Sequence, residues 1–197
     1  MNTMLRKTVL GVAGLAFAGG VVGGPVGTVL DGPAQAAPAT PVAVVQAEKP
    51  DAGKLMPNGV PGGQSRIPLD AEQTANVKAI VAATKKAGMD ERAAVVAIAT
   101  SLQESKLENL GHLGDRNDHD SQGLFQQRPS SGWGTVEQIT DPEYSTTAFL
   151  KGLKQVEGWK DMPLTRAAQT VQVSAYPDHY AQWEKQAADL VAEHWNS

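Results

Sequence analysis

One carboxylate in this sequence occupies an unexpected place. Glu104 closely follows VVAIATSL, the stretch from Val95 to Leu102, in which polar side chains are few and small. Ionisable side chains are rarely buried without a partner, and burial disfavours the charged form of a carboxyl group, which raises its pKa. A carboxyl group that keeps its proton near neutral pH can act as a general acid. Glu104 is therefore the first candidate for a catalytic residue.

The residues before Glu104 predict an apolar helix that starts at Asp90, a favourable N-cap. Ala93 to Ala99 is apolar on every side of such a helix, which indicates that protein surrounds it. The residues three, four and seven positions before Glu104 share its face and are small, which leaves room for a ligand; they are Ser101, Thr100 and Ala97. The alternative is that Glu104 ends the helix and turns to solvent.

A turn-rich segment follows from Gly111 to Thr135, dense in Gly, Asp, Asn and Ser, and it predicts turns with a short hairpin. It contains three acids that are candidates for a second catalytic carboxylate, namely Asp115, Asp118 and Asp120. The alternative for each of them is ordinary turn chemistry, because aspartates stabilise turns through their own backbone.

Two motifs in this order resemble the lysozyme-like superfamily, in particular its goose-type lysozyme and soluble lytic transglycosylase branch. Glu104-Ser105 is followed by Gly123-Leu124-Phe125-Gln126, similar to the Glu-Ser and Gly-Leu-Met-Gln motifs of that branch. Asp141-Pro142 resembles its Asp-Pro segment, and Ser174-Ala175-Tyr176 its Ala-Tyr-Asn motif, with Pro177 in place of Asn. The chain also resembles the small secreted lysozyme-like proteins of actinobacteria.

The resemblance implies a mainly α, lysozyme-like fold with a small β-hairpin beside a catalytic cleft. It implies cleavage of peptidoglycan between N-acetylmuramic acid and N-acetylglucosamine, with Glu104 as the acid and Tyr176 bonded to it. Gln126 is a candidate for bonding an N-acetyl or hydroxyl group, or else a buried amide. Trp133, between two glycines, is expected to stack on a sugar or to pack its loop. Ser105 and Phe125, which belong to the motifs, complete the predicted substrate-binding set.

Two mechanisms remain open for such a site. In a lytic transglycosylase, Glu104 gives its proton to the leaving oxygen and then takes one from the C6 hydroxyl of the sugar, which closes a 1,6-anhydro ring. In a hydrolase, a second carboxylate activates water or stabilises the oxocarbenium ion. We expect the first, since nothing in the turn-rich segment singles out one aspartate.

The start of the chain predicts export. Arg6 and Lys7 precede an uncharged run from Thr8 to Leu30, and Ala34-Gln35-Ala36 is a cleavage pattern, so 1–36 is predicted to be a signal peptide. The alternative is a retained membrane anchor. Residues 37–68, rich in Pro, Gly and Ala, predict a flexible linker, and 69–197 one lysozyme-like domain. The expected location is outside the cell, at the wall.

Charge and spacing exclude several other classes. Removal of 1–36 takes two basic residues and one acid, which leaves 15 of 17 Lys and Arg against 20 of 21 Asp and Glu, a formal charge of −5. This charge indicates no nucleic-acid or anionic-lipid partner. The loop from Asp115 lacks the Gly and Glu of a calcium loop, and His112 and His119 lie too far apart for a zinc motif. We expect no metal or other cofactor, and glycan strands as the partner.

A non-catalytic glycan-binding module with a degenerate cleft is the rival interpretation. The acidic charge and the altered third motif favour that module, whereas the presence of Glu104 favours the enzyme. Cysteine is absent from the sequence, which excludes disulfides and a catalytic thiol and requires the core to hold the fold.

Overall fold

A computed structural model describes residues 48–60 and 62–197, and it confirms that the fold is mainly α. Six α-helices follow the chain order: α1 (Ala71–Lys86), α2 (Glu91–Ser105), α3 (Val136–Ile139), α4 (Pro142–Gln155), α5 (Leu164–Gln172) and α6 (Glu184–His194). Three short 3-10 helices span Gly114–Arg116, Pro129–Ser131 and His179–Trp183.

Local caps set the starts of the first two helices, the second at Asp90 as the sequence predicts. Asp70 and Gln73 form a capping box at the start of α1, and Gly88 lies just after its end with φ +66°. The Asp90 side chain accepts a hydrogen bond from the backbone N–H of Ala93 and caps α2. These signals are local, because each cap and its partner lie within one helical turn.

Helix α2 is the centre of the domain, as its apolar sequence predicts. It packs against α1, α4, α5, α6 and the 3-10 helix His179–Trp183. Every residue from Ala93 to Ala99 is fully buried. Protein surrounds the middle of the helix, whereas Gln103 and Glu104 in its last turn are half-buried and reach a surface.

The predicted β-hairpin is not shown. Between Gly111 and Thr135 the described structure has a single antiparallel bridge, in which Gln122 and Gln127 exchange two backbone hydrogen bonds of 3.0 Å. The pairing does not extend, because Gly123 donates its N–H to Leu110 and Ser121 donates its own to Asp118. Turn chemistry dominates this segment.

The structure differs from the predicted linker at 48–60 and 62–68, which pack on the helical domain. The Leu55 carbonyl accepts a hydrogen bond from Arg92, and Ile67 exchanges two hydrogen bonds with the side chain of Gln186. Leu55 and Ile67 also pack against the core. The structure therefore gives this part of the predicted linker fixed partners on the helices, in the case of Ile67 119 positions away along the chain. Residues 1–36 and 37–47 lie outside the described part.

Within the described ranges, no helix has the length and apolar character needed to span a membrane.

Candidate active site

The end of α2 is held in a strained conformation that sets the direction of Glu104. Lys106 and Leu107 both adopt positive φ, 58° and 65°, which residues other than glycine rarely do. Side chains of α1 stabilise this exit: Gln73 donates to the Lys106 carbonyl at 2.8 Å and Asn76 to the Leu107 carbonyl at 2.9 Å. The chain thus leaves the helix at once, and Glu104 remains at the wall of a groove.

That groove has a volume of about 790 Å³ and runs beside the end of α2. Most of the side chains that line it are polar, and a few are apolar. The structure brings four of the predicted site residues to it together with Glu104; they are Asp118, Gln126, Trp133 and Tyr176.

Tyr180 is the tyrosine bonded to Glu104, and this corrects the assignment of that bond to Tyr176. The Tyr180 hydroxyl donates to Glu104 Oε1 at 2.7 Å, and its side chain is fully buried. Tyr176 is 62% exposed and stacks on His179 at the rim of the groove, with ring centroids 4.9 Å apart. The apolar spacing of Tyr180, Trp183 and Ala187 is the sequence signal that could have identified the inward-facing ring.

Gln103, the neighbour of Glu104, is fixed in the same way. Its Oε1 accepts hydrogen bonds from the Trp183 indole N–H at 2.9 Å and from Gln182 at 3.0 Å. The 3-10 helix His179–Trp183 therefore supplies the partners of both Gln103 and Glu104, and it couples the end of α2 to the C-terminal part of the domain.

Burial raises the pKa of Glu104 above its usual range, and this is the largest influence on it. Hydrogen bonds from Tyr180 and Gln172 and the charge of Lys106 act in the opposite direction, because they favour the carboxylate, while Asp118 adds to the rise. The position of Glu104 near the negative end of α2 also favours the neutral acid. The surroundings of Glu104 therefore favour its protonated form, which is the form that can act as a general acid.

Lys106 lies close to Glu104, and its side chain is half-buried. Its Nζ lies 4.6 Å from the centroid of the Trp183 ring and donates to the Leu102 carbonyl. Burial lowers the pKa of Lys106, and the charge of Glu104 raises it. The charge of Lys106 therefore lowers the pKa of Glu104 and partly offsets the effect of burial.

Ser105 and Phe125, which the sequence places in the substrate-binding set, do not line the groove. The buried Ser105 hydroxyl donates to the carbonyls of Ser101 and Leu124, and the buried Phe125 ring stacks on Phe149 of α4 at 5.0 Å. Ser105 thus holds the segment 123–126 against the end of α2, and Phe125 packs the same segment against α4.

The segment 123–126 approaches the backbone of Ile139 so closely that only glycine fits at its first position. A Cβ on Gly123 would lie 2.1 Å from the Ile139 carbonyl oxygen. Gln126 follows with φ 47° and lines the groove, and its amide donates to the Gly123 carbonyl at 3.1 Å. His119 and Val173, which also have positive φ, line the same groove. Backbone strain of this kind often marks functional sites.

Of the three candidate aspartates, Asp118 alone lines the groove. It accepts a hydrogen bond from Arg128 at 2.6 Å and forms a contact of 2.8 Å with His119. The contact with His119 is the main reason that the pKa of Asp118 is lowered. Asp120 instead accepts two hydrogen bonds from Ser130, one from the backbone and one from the hydroxyl. Asp115 lies exposed in the 3-10 helix Gly114–Arg116.

Trp133 and Gln172 complete the walls. Trp133 separates the groove from a shallow hollow of about 270 Å³ beside Tyr144 and Lys151, so its ring borders both spaces. Gln172, which sequence reasoning missed, lines the groove together with Glu104 and donates to the Phe125 carbonyl at 2.8 Å. An amide that faces both the acid and the groove is suited to a sugar hydroxyl or N-acetyl group.

In the described part of the chain, no three His, Asp or Glu side chains are grouped so that they could hold a metal ion. Comparison with known proteins found neither a matching family model nor a matching characterised sequence. The likeness to the lysozyme-like superfamily stays a likeness of motifs.

Proposed function

We propose that this protein is a secreted glycosidase that cleaves peptidoglycan between N-acetylmuramic acid and N-acetylglucosamine, in the manner of a lytic transglycosylase. The observation that carries the proposal is the setting of Glu104. This carboxyl group, whose pKa is raised by burial, faces an open groove and accepts a hydrogen bond from a tyrosine hydroxyl on Oε1.

The reaction needs one group that changes its protonation state. Glu104 gives its proton to the glycosidic oxygen as the bond to C1 breaks. The resulting carboxylate takes a proton from the C6 hydroxyl, whose oxygen attacks C1 and closes the 1,6-anhydro ring. Glu104 is protonated again at the end, and no water is consumed. The Tyr180 hydroxyl stabilises the carboxylate between the two transfers.

The setting of the aspartates favours this route over hydrolysis. Asp118 is the one predicted second carboxylate on the groove, and Arg128 and His119 already bond it. These partners lower the pKa of Asp118 and hold it as a carboxylate, which makes it a weaker base toward water. Asp115 and Asp120 do not line the groove. Glu104 acting alone accounts for the arrangement with fewer groups.

The groove also fits a carbohydrate. Its volume of about 790 Å³ lies within the range of roughly 300–1,000 Å³ that is usual for ligand sites. Amides of Gln103, Gln126 and Gln172 offer donors and acceptors, and Trp133 offers an aromatic face. Recognition through neutral groups agrees with an acidic protein that acts on the cell wall.

The test is mass spectrometry of the muropeptides released from purified peptidoglycan. Wild-type protein should release 1,6-anhydro products, lighter by one water than the hydrolytic products. Glu104→Gln should abolish release, because the amide keeps the shape and has no acidic proton. Asp115→Asn and Asp120→Asn are the matched controls for Asp118→Asn, and all three should keep most of the activity. A loss of about 10²- to 10⁴-fold in Asp118→Asn alone, with reducing ends, would establish hydrolysis instead.

A glycan-binding module without catalysis is the second candidate, and the formal charge of −5 on the mature chain and Pro177 in the third motif favour it. In that case wild-type protein would release nothing from several peptidoglycans. It would still bind glycan strands, and Glu104→Gln would leave the affinity unchanged.

A further inference from the structure

Residues 62–67, here called the strap, run along the junction between the 3-10 helix His179–Trp183 and α6. The backbone N–H of Ser65 donates to the Gln182 carbonyl at 2.7 Å, and the Ser65 hydroxyl donates to Gln182 Oε1 at the same distance. Gln64 donates to the Ala181 carbonyl at 3.0 Å. The strap thus engages the last residues of the element that carries Tyr180.

Gln64 also caps α6 from outside the helix. Among the described residues, the residue that precedes α6, Trp183, makes no side-chain capping bond. Gln64 Oε1 accepts a hydrogen bond from the Lys185 backbone N–H at 3.0 Å, in the first turn of α6. Free N–H groups at a helix start need such an acceptor. One glutamine therefore bonds both sides of the junction between the 3-10 helix and α6.

The contacts continue from the strap to the end of α2. Gln182, whose Oε1 accepts from Ser65, donates through Nε2 to Gln103 Oε1 at 3.0 Å. Trp183 donates to the same oxygen, and Tyr180, three residues earlier, donates to Glu104. Hydrogen bonds thus connect Ser65 to the residue next to the proposed acid, across a separation of 117 positions between Ser65 and Gln182.

We propose that the strap is a positioning element of the site, and that Gln64 and Ser65 act through the 3-10 helix His179–Trp183 to hold the Tyr180 hydroxyl against Glu104. The activity part of this inference rests on the proposed function; the structural part does not. A hydrogen bond of 2.7 Å requires that the tyrosine be fixed within a fraction of an ångström. The buried ring of Tyr180 sets its direction, and the strap sets the position of the backbone that carries it.

The test compares the double variant Gln64→Ala/Ser65→Ala with Arg66→Ala. Arg66 belongs to the same strap but pairs with Asp189 on the exposed side of α6, at 2.8 Å. Its removal therefore weakens the strap without loss of a bond to the 3-10 helix. Ser65→Thr keeps the hydroxyl and is the conservative variant expected to behave like wild type.

The first readout is independent of activity. Exchange of the Tyr180 hydroxyl proton with water, measured by nuclear magnetic resonance, should be faster by on the order of tenfold in the double variant and unchanged in Arg66→Ala and Ser65→Thr. Equal rates in the double variant and in Arg66→Ala would overturn the proposal, even if both variants are less stable than wild type.

The second readout is kinetic. In the double variant kcat on glycan strands should fall on the order of tenfold with little change in KM, because a small displacement of a positioning group acts on the transition state. In a Tyr180→Phe background the same double substitution should have almost no further effect, since the bond that it disturbs is already absent. A full tenfold effect in that background would overturn the proposal. Absence of activity in wild type would count against the proposed function only.

Discussion

At the residue scale, the chemistry of this molecule depends on a balance around one carboxyl group. Burial favours the neutral form of Glu104, whereas Tyr180, Gln172 and Lys106 favour the carboxylate. A general acid that must also act as a base needs both tendencies, because each protonation state occurs once in the reaction. Burial has the larger effect, so the resting state is shifted toward the acid.

Tyr180→Phe tests this balance through the pH dependence of kcat/KM. Phenylalanine keeps the buried ring and removes the hydrogen bond that lowers the pKa of Glu104. The pKa should rise further, so the basic limb of the profile should move to higher pH, while the maximum rate should fall because the carboxylate intermediate loses its donor. Tyr176→Phe is the matched control and should leave the profile unchanged. A basic limb that moves with Tyr176 and not with Tyr180 would contradict the assignment of the tyrosine.

The same balance affects stability. Because the pKa of Glu104 is higher in the folded than in the unfolded chain, the folded state holds its proton more tightly. The bound proton therefore stabilises the folded state at a pH below the ordinary pKa of a glutamate. This stabilisation is lost as the pH rises through the pKa of Glu104 in the folded protein.

Glu104→Gln should therefore increase the free energy of unfolding relative to wild type at neutral pH and not in acid, with each unit of pKa shift worth about 1.4 kcal/mol. Denaturant unfolding at both pH values measures this difference, and Glu108→Gln, an exposed change four residues on, is the control. A wild-type protein more stable than Glu104→Gln at neutral pH would contradict the raised pKa.

At the scale of elements, the sequence predicts what is local and misses what is distant. The starts of α1 and α2 and the burial of α2 follow from caps and apolar spacing within a few residues. Tyr180 lies 76 positions from Glu104, and no pattern in the sequence connects them. The hairpin was expected from turn residues, but turn residues satisfied each other and left a single bridge. Of these features, the contact between Tyr180 and Glu104 is the one that depends on packing between distant elements.

The exit of α2 gives a prediction at this scale. Asn76→Ala removes the donor that holds the Leu107 carbonyl, and this leaves a buried acceptor without its partner. The free energy of unfolding should fall by about 1–3 kcal/mol. Catalysis should also fall, because the strained exit that orients Glu104 loses a support. Lys78→Ala, on the exposed side of the same helix, should change neither quantity by more than about 0.5 kcal/mol. Equal effects of the two substitutions in denaturant unfolding would show that Asn76 does not hold the exit.

At the scale of the whole molecule, the segment before α1 is part of the domain. A buried ion pair of 2.7 Å between Arg92 and Glu184 joins α2 to α6, and the same arginine nitrogen donates to the Leu55 carbonyl at 2.9 Å. Residues 48–60 and the strap therefore share partners with the helices that form the site. Composition alone predicts a linker here, since proline and glycine are frequent, but composition carries no information about partners on α6.

Limited proteolysis distinguishes a linker from a packed segment. A protease cleaves where the backbone can leave its partners and enter the active site of the enzyme. Here hydrogen bonds hold the backbone at both Ser65 and Ile67, to Gln182 in the 3-10 helix and to Gln186 in α6 respectively. Trypsin should therefore cut wild-type protein slowly after Arg66, although that side chain is exposed. In Gln64→Ala/Ser65→Ala the same bond should be cut faster, because the strap opens more often. The cleavage rate should rise in proportion to the population of the open state. Cleavage after Lys78, within α1, is the internal control and should be equally slow in both proteins. Rapid cleavage after Arg66 in wild type, with a resistant fragment that begins at Ile67, would support a flexible linker here. It would also contradict the proposal that the strap positions the site.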